Sequence, residues 1–168
     1  MRAIHFIALC VAASCCSLFC AEPPAHVTPF SKLKQGDTLV VRFHTSGCFH
    51  DATHEFTFRR GSELTVSVVQ LPRDATRPGV ITTQTNRVEL GTLTLSKSDV
   101  AGLDRLMEFY RSKHDSLCTT IDRISFTQQR DSKTVATEEI TDGSCQIYDK
   151  KRLTRFPELI GRLSSPKR

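Results

Sequence analysis

Beyond residue 21 this 168-residue sequence has no apolar run long enough to cross a bilayer, so no membrane span is expected once a leader is removed. It has no internal repeat and no low-complexity tract, which excludes solenoids and compositionally disordered segments. It lacks a G-x-S-x-G nucleophile elbow, a G-x-x-x-x-G-K phosphate loop and a G-x-G-x-x-G dinucleotide turn, so no serine-hydrolase or nucleotide-binding signature is present. A strong excess of one charge sign is also lacking. Setting aside residues 1 to 21 removes only Arg2, leaving 22 basic against 18 acidic side chains. The only basic concentration is toward the end, at Lys150, Lys151, Arg152 and Arg155 and then Arg162, Lys167 and Arg168. A tail of this kind reads as solvated surface, and no nucleic-acid partner is expected.

What is there begins with a leader. Met1-Arg2 precedes an apolar run from Ile4 to Ala21, broken only by His5 and a few serines, and then the polar EPPAHVTP. This is the order of a secretory signal peptide, so residues 1–21 are excluded from the fold, with cleavage after Ala21. Ala12-Ala13-Ser14-Cys15 also resembles a lipoprotein box, which would instead leave an acyl anchor at Cys15. The expected location is exported, periplasmic or secreted. Four of the seven cysteines fall in the leader, leaving Cys48, Cys118 and Cys145. In an oxidising compartment three cysteines suggest one disulfide and one left over. The roughly 145 residues that remain can bury one ordinary core, so one domain is expected.

Residues 22–36 (EPPAHVTPFSKLKQG) carry prolines and show no period, and read as an extended arm or linker before a single domain over 37–168. From Thr38, Leu39, Val41 and Phe43 alternate with Val40, Arg42 and His44, the period of a half-buried strand. Phe56 and Phe58, then Leu64, Val66 and Val68, predict a hairpin in which Phe58 faces Leu64 and Gly61 takes a positive φ at the apex. Pro72 to Asn86 reads as a long polar loop and a candidate for binding, followed by a strand over Arg87 to Leu95. Ser96-Lys97-Ser98-Asp99 opens a helix whose apolar positions are Val100, Leu103, Leu106, Met107 and Tyr110, all read as core contacts. Ile121 to Gln129 and Lys133 to Ile140 form a second hairpin. If Arg130 pairs with Lys133, the same register sets Cys118 opposite Cys145, and a disulfide is expected there. Facing Ile124 with Ile140 instead needs a slip of one residue or a bulge. Leu153, Phe156, Leu159, Ile160 and Leu163 read as a short helix with Pro157 in its first turn. The expected fold is α+β: an antiparallel sheet of five or six strands, with one main helix and a short C-terminal helix packed on one face.

The segment HTSGCFHDATH gathers the chemistry. His44, Cys48, His50 and His54 are donors suited to zinc or copper. Strand phase opposes a shared site, since His44 points away from the core and His54 shares the inward phase of Phe56 and Phe58. Cys48 with His50 or His54 and Asp51 supplies the residue types of a thiol-imidazole-carboxylate relay, with Gly47 to Asp51 read as the turn. Glu138 and Glu139 face opposite ways on a strand and read as solvated edge charges.

The strand ending in Ser46-Gly47-Cys48, the hairpin after it, "LSKSDVAGLDRLMEFY" and the last hairpin together resemble exported or lipid-anchored bacterial domains of unknown function. Those domains have a Gly-Cys turn after the first strand. The likeness spans roughly residues 37 to 163 and implies export and an α+β fold, with no established activity. The leading reading is therefore a non-enzymatic binding module of the bacterial envelope or secreted fraction, taking a protein or envelope polymer through its loops, with no cofactor. The alternatives are a small metal-binding protein using His44, Cys48, His50 and His54, and a thiol enzyme based on Cys48.

Overall fold

Leu39, Val41 and Phe43 are buried, while Val40, Arg42 and His44 keep contact with solvent. The alternation is thus a pleated strand with one covered face. The computed structural model describes residues 26–47, 50–72, 86–112, 119–143 and 153–164. Its elements are β1 (Thr38–Ser46), β2 (Asp51–Arg60), β3 (Leu64–Leu71), β4 (Val88–Thr94), α1 (Lys97–Arg111), β5 (Ile121–Arg130), β6 (Lys133–Asp142) and α2 (Phe156–Ser164). The strands form one antiparallel sheet of six in the order β4-β3-β2-β1-β5-β6. With one main helix and one short C-terminal helix, this is the expected α+β fold. No helix among the described residues is long and apolar enough to cross a membrane.

The first hairpin differs from the expected one. Phe58 stands opposite Val66 and Phe56 opposite Val68, because Gly61, Ser62 and Glu63 make a three-residue connection closed by Arg60 opposite Leu64. The Gly61 N–H donates to the Glu63 carbonyl at 3.0 Å, and Gly61 is not among the residues at positive φ. The slip is of two residues, so the same side chains still face the core. The second hairpin contains both registers considered from the sequence. Arg130 pairs with Lys133 across Asp131 and Ser132, which sit at φ 49 and 63, the left-handed pair that matches the twist of flanking strands. A bulge between Gln128 and Gln129 then shifts the register, leaving Val135 as the extra residue and setting Ile124 opposite Ile140.

Ser96 caps α1: its hydroxyl accepts from the Asp99 N–H, and the Asp99 carboxylate accepts from the Ser96 N–H. Both orphan donors are satisfied. The helix buries Leu103, Leu106, Met107 and Tyr110 against the sheet. Gly102 lies where the chain entering α2 crosses α1; a Cβ there would come within 2.6 Å of the Thr154 backbone nitrogen. Pro157 falls in the first turn of α2, and Phe156 packs on Phe43 and Phe56 with ring centroids 5.3 and 4.9 Å away.

The segment read as an arm needs correcting from Val27 onward. Val27, Phe30 and Leu33 are core residues, and Phe30–Lys32 is a turn of 3-10 helix. Their three-residue spacing lays one stripe of side chains against the domain. Phe30 meets Phe58 edge-on with centroids 4.7 Å apart. The backbone of this segment is held by side chains from three elements. Arg60 Nη2 donates to the Phe30 carbonyl at 3.0 Å, Arg111 Nη2 to the Val27 carbonyl at 2.8 Å, and the Thr28 N–H to Gln128 Oε1 at 3.0 Å. Asp37, 1% exposed, closes the segment by accepting from Arg130 Nε at 2.7 Å and the Lys34 N–H at 2.9 Å. The Arg130 guanidinium keeps its carboxyl below the ordinary pKa despite burial.

Candidate functional site

The pleat divides the histidine-rich segment. β1 ends at Ser46 and β2 begins at Asp51, opposite Ser46, so Asp51 belongs to a strand and not to the turn. Only residues 47 to 50 make the connection, with the Gly47 N–H donating to the His50 carbonyl at 2.9 Å. A Cβ at Gly47 would stand 2.6 Å from His50 Cε1, so a larger residue there would turn the exposed imidazole aside.

His50 and Asp51 consequently diverge. On the side away from the helices, His44 Nδ1 is 2.9 Å from Thr53 Oγ1, and His44 Nε2 is 3.6 Å from Asp51 Oδ1. On the helix side, His50 Nε2 is 3.2 Å from Thr45 Oγ1. The carboxylate expected beside His50 therefore serves His44 instead. His54 belongs to neither group. It is buried at 8% exposure, opposite Phe43, with no hydrogen-bond partner for Nδ1. Burial lowers its pKa, which keeps the ring neutral. The inward phase read for His54 and the outward phase read for His44 are both as found, so these two imidazoles face opposite sides of one sheet. Among the described residues no group of three histidine, cysteine or acidic side chains is placed to hold a metal ion. Cys48 lies outside the described residues, as do Cys118, Cys145, the leader and positions 73–85 of the long polar loop.

The helix side of this end holds a polar group that the sequence reading missed. Asp122 of β5 stands opposite both Thr45 of β1 and Asp142 of β6, and Tyr110 Oη donates to Asp122 Oδ2 at 3.4 Å. Tyr110 is thus a core residue with a polar task. Burial raises the Asp122 pKa and the Asp142 charge adds to it, while hydrogen bonds from Thr45 and Tyr110 and the nearby His50 work the other way. The bulged register that faces Ile124 with Ile140 also faces these two aspartates, and that was the signal available. Glu138 requires a correction as well. It is not a solvated edge charge but accepts from Arg111 Nε at 2.7 Å, with its side chain 12% exposed.

The opposite face of the sheet has a different character. Among the described residues no helix or strand lies over it, and apart from Val69 its side chains are partly or fully exposed. Strand register lines up Thr137, Thr127, Val40, Thr57, Ser67 and Thr92 in one row across all six strands. In the next row Glu55 lies between two arginines, accepting from Arg42 Nε at 3.2 Å and Arg87 Nη2 at 2.9 Å. A shallow depression of about 230 Å³ between β1 and β5 is lined by Val40, Arg42, Ser125, Thr127 and Gln129. This face was legible only in part, because alternation marks which residues point outward but not which strands stand side by side. Comparison with protein-family models, curated proteins and solved structures finds no match.

Proposed function

We propose that this chain is an exported, non-enzymatic binding module that takes its partner on the uncovered face of the sheet. The observation carrying the proposal is the row that crosses all six strands with a hydroxyl side chain on five of them and Val40 on β1, flanked by arginines and carboxylates, on a face bearing no helix among the described residues. The core beneath it is closed to solvent: Leu39, Val41, Phe56, Phe58 and Val66 are at 0% exposure. A fixed array of donors and acceptors binds without the ordering cost of mobile loops. The separation of His50 from Asp51 fits recognition better than thiol chemistry, which needs its base oriented by a third group. The signal-like leader supports export, placing the partner in the periplasmic or secreted fraction as a hydrophilic polymer or a protein.

The test is co-sedimentation of the purified chain with insoluble envelope material. Thr57→Tyr, which places a bulky ring in the middle of the row, is expected to abolish retention while leaving the circular dichroism spectrum unchanged. Retention that survives Thr57→Tyr but is lost on His50→Ala would move the functional surface to the β1–β2 connection and overturn the proposal.

A further inference from the structure

The depression on the uncovered face has a donor bias that indicates what it receives. Its polar lining is one guanidinium, two hydroxyls and one carboxamide, with no carboxylate. No hydrogen bond within the described residues engages the side chains of Ser125, Thr127 or Gln129 on this face. Arg42 uses Nε on Glu55, and its side chain is 62% exposed, so its terminal nitrogens are turned to solvent. With Arg87 also on Glu55, this group of three carries one net positive charge. We propose that the depression is a subsite for the anionic group of an acidic polysaccharide lying across β2, β1 and β5. The proposal rests on the uncovered face being the binding surface and names its ligand.

The arrangement of the other cations supports an extended, sparsely charged ligand. Arg59 on β2, Arg42 on β1 and Arg123 on β5 lie on a diagonal, in the rows of Thr38, Arg42 and His44. Strand rise and spacing separate the first two by roughly 14 Å and the last two by roughly 8 Å. Nucleic acid, with a charge every ~1.7 Å of duplex, needs a denser basic surface. A protein partner is disfavoured by composition. Interface cores draw on aromatic and apolar anchors, whereas the exposed large apolar residues, Val88 and Val135, sit on the two edge strands. Serine, threonine and glutamine beside an arginine match the hydroxyls and carboxylate of a uronic-acid chain.

The experiment measures binding of the full chain to fluorescently labelled polygalacturonate, neutral dextran and single-stranded DNA at 50 and 200 mM salt. Polygalacturonate is expected to bind, dextran not to bind, and DNA to bind at least tenfold more weakly. Arg42→Gln should weaken polygalacturonate binding about tenfold at low salt, and Thr127→Val severalfold, with melting temperatures within a few degrees of the parent. Arg123→Gln provides a second cation variant should Arg42→Gln fail to fold. Equal affinity for dextran, affinity for DNA matching that for polygalacturonate, or indifference to both arginine variants would each overturn the acidic-glycan assignment. If polygalacturonate fails to bind while Thr57→Tyr still abolishes retention on envelope material, the ligand class is wrong and the binding face stands.

Discussion

Replacing Phe30 by alanine asks whether the segment before the first strand belongs to the core. Phe30 is 1% exposed, and its ring meets Phe58 edge-on at 4.7 Å. Truncating a buried phenylalanine typically costs about 3–5 kcal/mol, and the lost aromatic pair accounts for about 0.5–1.5 kcal/mol of that. Neighbouring side chains that settle partly into the space left reduce the cost, so the lower end, about 3 kcal/mol, is expected. Domain stabilities are commonly only about 5–15 kcal/mol, which makes this a large fraction. With a urea dependence of about 2 kcal/mol per molar, the midpoint should fall by about 1.5 M. Tryptophan is absent and tyrosine occurs twice, so the transition is best followed by far-ultraviolet circular dichroism. Phe30→Leu should recover most of the loss. A midpoint moved by less than about 0.3 M at unchanged slope would mean that the segment is a detached linker, and the packing described for Val27, Phe30 and Leu33 would be refuted.

Asp122→Asn should raise stability at neutral pH. The folded-state pKa of Asp122 lies above the ordinary 3.8, so the fold is favoured below that value and loses stability as pH rises through the folded pKa. The amide removes this loss; its advantage over the parent in urea unfolding should be present at pH 7 and gone near pH 3, and an equal difference at both would refute the shift. Gly102→Ala should destabilise by roughly 1–3 kcal/mol, since relief of glycine's cost of about 1 kcal/mol within a helix is outweighed by crowding against the Thr154 nitrogen at 2.6 Å; a rise in melting temperature would show that α2 is not held against α1. Thiol labelling of the unfolded, unreduced chain should modify Cys48 and spare Cys118 and Cys145, and a peptide map joining Cys48 to either would remove the expected bridge. Native mass spectrometry of untagged protein should find no stoichiometric zinc or copper, and one equivalent lost on His50→Ala would restore the metal-binding alternative.

Local patterns in the sequence determined a good deal about this protein. Alternation around Leu39, Val41 and Phe43 marked a strand because side chains on a pleat repeat every two residues. Ser96 and Asp99 marked the start of α1 because the first N–H groups of any helix need acceptors. The outward His44 and inward His54 followed from the same phase argument. Tertiary structure decided what depends on distant neighbours. β1 lies between β2 and β5, and no periodicity announces that Val40 will stand beside Thr127. The depression and the row of hydroxyls exist only once that pairing is made. The segment holding Val27, Phe30 and Leu33 read as periodless among its prolines, and only the domain supplies the surface that buries those side chains. Asp122 acquires its raised pKa from burial and from the Asp142 charge on the neighbouring strand, against the opposing hydrogen bond from Tyr110 of the helix. The energy of a buried charge depends on what surrounds it in space, and sequence position records only what adjoins it along the chain.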